Sequence, residues 1–211
     1  MEFSYFFSSK DILNCLYFSY DVAMHTYQRL SKSKVSFNLH IERIFTGKLG
    51  EYALFQILNK FTYEIDYKDA FKIWEGTQNV DRFDLKVNNK TIDAKTLYKP
   101  NHRNMIVPLD QWKSMPKDFY VAVKLDNFDN ILNETMKNIS LLKHPTDKKE
   151  FENNFNNLHK GNEMQAIVLG YLPRISDIWI VEERSIICPE HPCVRAPIKI
   201  IGPFEDLLKS L

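Results

Sequence analysis

Two short segments separated by a pair of asparagines constrain the fold of this chain most strongly. FDLKV (Phe83–Val87) and TIDAKT (Thr91–Thr96) both alternate apolar and polar residues, which is typical of strands with one buried face. Asn88, Asn89 and Lys90 separate them, and asparagine tolerates the left-handed backbone that a tight turn needs. The sequence therefore predicts a β-hairpin with a two-residue turn.

A two-residue turn also sets the register of the hairpin. Val87 then pairs with Lys90, and Asp84 pairs with Asp93. Directly opposed residues point to the same face, with Cβ atoms roughly 4.5–5.5 Å apart. Lys95, two residues beyond Asp93, shares that face. The opposite face is apolar and is filled by Phe83, Leu85, Val87, Ile92 and Ala94. We therefore expect two carboxylates and an ammonium group side by side.

Opposed carboxylates destabilise a strand pair unless something offsets their charge. Mg²⁺ is a suitable cation because it prefers oxygen ligands and keeps several waters, and Mn²⁺ can substitute for it. A lysine beside that ion can orient and help deprotonate an attacking water, while the metal stabilises charge on a phosphoryl group. The pattern fits hydrolysis of a phosphodiester. The alternative is an exposed hairpin face on which Lys86 and Lys95 neutralise the acids.

A rival register stays open, because Asp-x-Lys triplets recur along the chain. In that register Asp66 is the first ligand, and Asp84 with Lys86 forms the second group. We prefer the pair Asp84 and Asp93, because the hairpin juxtaposes them by local geometry, whereas Asp66 needs an unspecified strand pairing. Asp81 could replace or assist Asp84.

The rest of the chain predicts helices and strands around this hairpin. A second helix, over residues 41–60, contains Gly47 and Gly50, which cost roughly 1 kcal/mol each relative to alanine and suggest a close approach to its backbone. The other predicted elements are helices over residues 10–31, 108–115 and the final FEDLLKSL, and strands over residues 119–125, 166–172 and 177–183.

These elements predict one domain of 211 residues. It comprises an N-terminal helical segment (1–40), a catalytic core (41–125), a surface insertion (126–163) and C-terminal strands with a helix (164–211). The fold class is α/β, with a mixed sheet flanked by helices on both faces.

The charge distribution and the cysteine content indicate which binding partners and which cellular compartment to expect. Net charge is only +1, but the stretch from Lys95 to Lys117 holds a single acid, Asp110. Its residues Lys99, His102, Arg103 and Lys113 are candidate nucleic-acid contacts. Three cysteines do not suggest a secreted scaffold, and no apolar run approaches the ~18 residues of a membrane span. We therefore expect a cytoplasmic protein without a membrane partner, with ordinary thiols at Cys188 and Cys193 favoured over a zinc site.

The order of these motifs resembles the PD-(D/E)xK nuclease superfamily, which includes restriction endonucleases. GKLGEYALFQIL contributes Glu51 on a helix, FDLKV contributes Asp84, and IDAKT contributes Asp93 and Lys95. VPLDQWKSMPKDFYVAVKL follows with a helix and a strand. By this resemblance, Asp84 and Asp93 would hold the metal with the Ala94 carbonyl, Lys95 would position the water, and Glu51 would support the site. The sequence departs from the family pattern in that Phe83, not proline, precedes Asp84.

The resemblance implies a restriction-endonuclease-like fold and a Mg²⁺-dependent endonuclease that hydrolyses DNA. We expect a restriction-type enzyme first, acting as a homodimer because cutting both strands requires two sites. The alternatives are a repair or junction-resolving nuclease, cleavage of RNA, and a non-catalytic DNA-binding subunit that retains the fold.

Overall fold

The structure is a computed structural model that describes residues 3–26, 36–61, 63–66, 71, 85–139, 148–155, 164–183 and 192–211. Its strands are β1 (Phe3–Phe6), β2 (Ile65–Asp66), β3 (Leu85–Val87), β4 (Lys90–Leu97), β5 (Asn104–Pro108), β6 (Phe119–Asp126), β7 (Gln165–Pro173), β8 (Ile180–Glu182) and β9 (Cys193–Pro197). Its helices are α1 (Ser9–Thr26), α2 (Phe37–Leu58), α3 (Leu109–Ser114), α4 (Phe128–Ile139), α5 (Lys148–Phe155) and α6 (Phe204–Ser210), with a 3-10 helix at Ile198–Ile200.

The predicted hairpin and its register are confirmed as far as the described residues extend. Asn88 and Asn89 have φ angles of 44° and 68°, the left-handed backbone of a two-residue hairpin turn. Val87 pairs with Lys90, and Leu85 pairs with Ile92. Asp84, Asp81 and Phe83 lie outside the described residues, so the pairing of Asp84 with Asp93 stays a prediction.

The hairpin belongs to a six-stranded mixed sheet with the order β1-β7-β6-β4-β3-β2. Strand β4 runs parallel to β6, and the remaining neighbours are antiparallel. A parallel pair needs a crossover connection rather than a tight turn, and β5 with α3 forms the connection here. The protein is therefore of the α/β class with a mixed sheet.

Helices α1 and α2 cover one face of this sheet. Ile92 and Ala94 of β4 are buried in the main apolar core with residues of both helices. A Cβ added to Gly50 would clash with the Thr96 hydroxyl, so glycine permits the close packing of α2 on β4. This confirms the expected approach at Gly50, whereas a Cβ at Gly47 would meet nothing within 4 Å.

A three-stranded sheet with the order β5-β9-β8, together with α3, covers the opposite face. A second apolar core lies between the two sheets and contains Leu97, Met105, Val107, Tyr120, Ala122, Leu172 and Ala196. Trp112 of α3 stacks on Tyr120 with a centroid distance of 5.2 Å. The sequence led us to expect helices on this face. It did not predict β5 and β9, because five-residue strands carry only a short period-two signal.

Two further parts of the predicted organisation need correction. The segment 1–40 begins with strand β1, which pairs with β7, rather than being helical throughout. The segment 126–163 is not only a surface insertion, because Phe128, Ile131, Phe151 and Phe155 are at most 1% exposed in the main core. Helix α4 has a polar composition on average, but its few apolar side chains recur at helical spacing and form a narrow stripe that packs into the core.

The start of α1 is tied to its neighbours by a capping box. The Ser8 hydroxyl accepts a hydrogen bond from the Asp11 backbone N–H at 3.2 Å, and the Asp11 carboxylate accepts one from the Ser8 backbone N–H at 2.9 Å. The hydroxyls of Tyr5 and Tyr52 also donate to this carboxylate. Burial raises the pKa of Asp11, but the hydrogen bonds from Ser8 and the two tyrosines outweigh it and lower the pKa. The network joins β1, α1 and α2.

The other predicted elements are confirmed with shifted ends within the described residues, and they are α1, α2, α3, α6, β6, β7 and β8. The predicted end of the first helix, at residue 31, lies outside those residues. Within the described ranges, no helix is both long enough and apolar enough to span a membrane.

Candidate functional site

Strand β4 presents an acid and a base on one face. Lys95 Nζ lies 2.6 Å from Asp93 Oδ2, and the side chains are 20% and 11% exposed. Ala94, between them, is buried in the core on the helix side. The alternation of side chains along a strand therefore directs Asp93 and Lys95 towards the small sheet, away from α2.

Lys95 forms part of the wall of a cleft of about 480 Å³. The cleft is lined by Lys95, Thr96, Leu97 and residues 101–106. His102 and Arg103 bring two further basic side chains to it. The cleft therefore combines three basic side chains with the side-chain amides of Asn101 and Asn104. Asp93 does not line the cleft itself but pairs with Lys95, which does. This arrangement suits binding of a phosphate-containing polyanion.

His102 contributes a group whose charge depends on pH. Its ring packs edge-on against Tyr98 at a centroid distance of 5.2 Å. Burial, and secondly the positive charge of Lys99, lower the pKa of His102. The imidazole is therefore mostly neutral near pH 7, and a bound phosphate would favour its protonation.

The other two predicted DNA contacts lie elsewhere. Lys99 is exposed, its Nζ lies 5.2 Å from the centroid of the Tyr98 ring, and it lines a separate depression of about 390 Å³ with Lys124. Lys113 is exposed on α3 and does not line the cleft. The structure therefore gathers His102 and Arg103 around Lys95, but not Lys99 or Lys113.

Glu51 is placed on the other side of the sheet from Asp93. It forms an ion pair with Lys48 on the same helix, and Lys48 Nζ lies 4.6 Å from the centroid of the Phe18 ring. The contact of Gly50 with Thr96 puts α2 on the face of β4 that Ala94 occupies. The structure does not bring Glu51 to Asp93 and Lys95. Helix periodicity could not have revealed this, because it does not say which face of the sheet the helix covers.

The described residues do not by themselves form a Mg²⁺ site. The Asp93 carboxylate is a hard oxygen donor of the kind Mg²⁺ takes. In the ranges that the structure describes, no group of three or more His, Cys, Asp or Glu side chains could hold a metal ion. The predicted ligand set also includes Asp84, which lies outside those ranges, and the Ala94 carbonyl that the resemblance implies.

In the rival register, Asp66 needs a strand pairing that the sequence did not specify, and the structure shows such a pairing. Strand β2 pairs with β3, and Asp66 lies directly opposite Lys86. Lys86 in turn lies opposite Thr91, so these residues extend the face of the sheet that carries Asp93. Asp66 is exposed on an edge strand. The rival therefore stays open, with its Asp84 outside the described residues.

A cluster on the small sheet was missed by the sequence interpretation. The Arg195 guanidinium donates through Nε to Glu182 at 2.6 Å and through one terminal nitrogen to Asn104 Oδ1 at 3.4 Å. The three residues come from three strands, so no local motif could have indicated their proximity.

The cysteines also differ from expectation. Cys193 is disulfide-bonded, which corrects the preference for ordinary thiols, while Cys15 is free and buried and Cys188 lies outside the described residues.

Comparisons with protein-family models, with curated proteins and with solved structures found no match for this chain. The likeness to PD-(D/E)xK nucleases is therefore one of motifs and their order.

Proposed function

We propose that this chain is a Mg²⁺-dependent endodeoxyribonuclease with a restriction-endonuclease-like core, in which Mn²⁺ can replace Mg²⁺. One observation carries the proposal. Asp93 and Lys95 share one face of β4 at 2.6 Å, and Lys95 reaches a cleft that also holds His102 and Arg103. An acid that can hold a metal thus stands beside an ammonium group at a basic groove.

Each residue has a defined task in this proposal. Asp93 would hold Mg²⁺ together with Asp84 and the Ala94 carbonyl, and the bound ion supplies stabilisation of the charge that develops on the phosphoryl oxygens. Lys95 donates hydrogen bonds, one of them to Asp93, and can orient the attacking water. His102 and Arg103 bind phosphates of the strand. Glu51 has no place in this site, because it lies across the sheet.

The substrate and the assembly follow from the chemistry of the proposed reaction. A small one-domain nuclease that cuts both strands of a duplex needs two sites, which a two-fold homodimer provides. A restriction-type enzyme is therefore our first choice. A repair or junction-resolving nuclease shares the same site chemistry and differs in the substrate that it selects.

The test is incubation of the purified protein with supercoiled plasmid, linear duplex and labelled RNA in Mg²⁺ or Mn²⁺. We expect cleavage of DNA that Asp93→Asn and Lys95→Ala each reduce by about 10²-fold or more, with DNA binding retained. Sequencing of the ends separates the nuclease classes, because discrete ends indicate site specificity and nicked circles indicate repair-type activity. Cleavage of RNA alone would contradict the proposed substrate.

A matched control pair lies one strand away. Lys124 Nζ lies 2.5 Å from Asp126 Oδ1, again two residues apart on a strand, but these side chains are 47% and 33% exposed and do not line the cleft. Lys124→Ala and Asp126→Asn should leave cleavage within about twofold, because exposed ion pairs contribute little to stability. Equal losses in both pairs would indicate general damage to the fold and contradict the assignment to Asp93 and Lys95.

A second candidate, a non-catalytic DNA-binding subunit, is favoured by the burial of Asp93. The Asp93 side chain is only 11% exposed, pairs with Lys95 and does not line the cleft. This function predicts that the wild-type protein cuts no nucleic acid in either metal yet binds DNA. Arg103→Ala should then weaken binding and reduce its dependence on salt.

A further inference from the structure

We infer that the outer face of the small sheet reads base edges in duplex DNA and that Arg195 is its specificity-determining residue. The inference rests on the proposed function, because it assigns a role to residues that continue from the same cleft. It concerns selection of the substrate and not the hydrolytic step.

The outer face begins at the cleft and extends across three strands. Asn104 and Ile106 of β5 line the cleft beside Lys95. Arg195 of β9 pairs directly with Ile106 on one side and with Ile180 of β8 on the other. Directly opposed residues share a face, and neighbouring strands lie about 4.8 Å apart. A duplex seated against Lys95 would therefore meet this face next.

Arg195 is held in position but retains unused donors. Its hydrogen bonds to Glu182 and Asn104 come from two of the five guanidinium N–H groups. The other three donate to no residue that the structure describes, and the side chain is 22% exposed. A planar guanidinium held at Nε and at one terminal nitrogen can offer its remaining terminal N–H groups to acceptors without losing much side-chain freedom.

The surroundings of Arg195 favour a nucleobase over a backbone phosphate as the group that it binds. Glu182 neutralises its charge, so Arg195 adds little to the general attraction for the DNA backbone. Directional hydrogen bonds remain, and guanine presents two adjacent acceptors, O6 and N7, in the major groove. Ile106 and Ile180 flank Arg195 and are 38% and 41% exposed. Such apolar groups suit the thymine methyl and the base edges better than they suit a charged backbone.

The size of the β5–β9 pair also fits. The major groove is about 12 Å wide and admits a two-stranded β-ribbon, and β5 and β9 form an antiparallel ribbon of five residue pairs. This ribbon could therefore enter the groove while Lys95 stays beside the backbone.

The test selects bound duplexes from a randomised library without divalent metal, so that no strand is cut, and sequences them. We compare the wild type with Arg195→Ala and with Arg195→Lys, which keeps the charge but loses the planar fork. Lys209→Ala, which removes a lysine paired with Asp206 on α6, is the matched control. Thermal melting checks that each variant is folded.

We expect the wild type and Lys209→Ala to enrich guanine at a defined position by about tenfold or more. Both Arg195 variants should lose that enrichment, while the affinity of Arg195→Lys for unselected duplex, in which the charge beside Glu182 is kept, changes by less than about threefold. A wild type that binds DNA with no base preference, or an Arg195→Ala protein that enriches the same sequences, would overturn the inference and leave the proposed function standing.

Two other results would also overturn it. An equal loss of affinity for every duplex, with a smaller salt dependence, would make Arg195 a phosphate contact. A change of oligomeric state in Arg195→Ala would assign the face to self-association. A wild type that neither binds nor cuts DNA would instead remove the proposed function, and the inference with it.

Discussion

Two lysine–acid pairs lie on opposite sides of β4, and their surroundings differ. On the helix side, Lys48 pairs with Glu51, and their side chains are 4% and 18% exposed. On the cleft side, Lys95 pairs with Asp93, and their side chains are 20% and 11% exposed. Lys48 lies against aromatic rings of Phe18 and Phe71, whereas Lys95 lines a basic cleft.

The difference shows that the type of pair does not by itself indicate a site. A buried ammonium covered by aromatic rings is poorly placed to meet a polymeric substrate, so we expect the pair of Lys48 and Glu51 to affect folding rather than cleavage. The same groups next to an open cleft can meet a substrate. The following predictions test this distinction between the helix side and the cleft side of β4.

The largest expected effect is on cleavage, which Lys95→Met should abolish and Lys48→Met should leave intact. Each change leaves a largely buried carboxylate, Asp93 or Glu51, without its lysine partner, so each should lower the free energy of unfolding by about 3 kcal/mol. Urea denaturation and the plasmid assay measure the two effects.

Replacement of both partners on the helix side, by Lys48→Met with Glu51→Leu, should restore most of the lost stability, because a well-packed apolar pair avoids the buried charge. This double variant should also retain cleavage. Loss of cleavage with normal stability would return Glu51 to the catalytic site and remove the distinction between the two sides.

The next effect concerns the packing of α2 on β4. Gly50→Ala places a methyl group against the Thr96 hydroxyl and should destabilise the protein by about 1–3 kcal/mol. Gly47→Ala is the matched control. It meets nothing within 4 Å and should stabilise the helix by up to about 1 kcal/mol.

A compensating change sharpens this prediction. Thr96→Ala should recover part of the stability lost in Gly50→Ala, because it removes the atom that the new methyl group meets. Chemical denaturation of the four proteins in the cycle gives the coupling free energy. A coupling near zero would contradict the close approach of α2 to β4.

A smaller effect is expected at the turn that directs side chains to the two sides. Asn89 has a φ of 68°, so Asn89→Ala should cost about 1 kcal/mol, whereas Asn89→Gly should be neutral or slightly stabilising. Thermal melting measures both. Equal melting temperatures would mean that the left-handed backbone at this position contributes nothing to the hairpin.

The last prediction is a pH dependence on the cleft side. Because the pKa of His102 is lowered in the free protein, and phosphates raise it, DNA binding takes up a proton. Affinity should therefore rise as pH falls from 7 to 5, by up to about tenfold for each unit of pKa change.

His102→Asn should flatten that dependence, while His25→Asn, which changes an exposed histidine on α1, should not. Fluorescence anisotropy with a labelled duplex at constant salt measures the binding. An unchanged slope in His102→Asn would place the titrating group elsewhere.

The hairpin was predictable because its information is local. Asn88 and Asn89 accept the left-handed backbone, and a two-residue turn leaves one register. Alternation then assigns Ile92 to one face and Asp93 to the other. The long helices and the strands β6 and β7 were predictable for a similar reason, because each carries its own periodic pattern.

Predictions failed where the decisive contact was distant in sequence. The polar average of residues 126–163 hid Phe128 and Phe151, which are buried because other helices leave space for them. The pairing of Asp66 with Lys86 depends on where β2 docks.

The sequence by itself determined the α/β class, the asparagine turn and the placement of Asp93 beside Lys95, because turn geometry and strand periodicity act over a few residues. Only the tertiary structure decided that Glu51 faces away from them and that His102 and Arg103 join Lys95 in one cleft. The reason is that the side on which a helix or sheet docks depends on the total burial of apolar surface across the fold, and no local pattern encodes it.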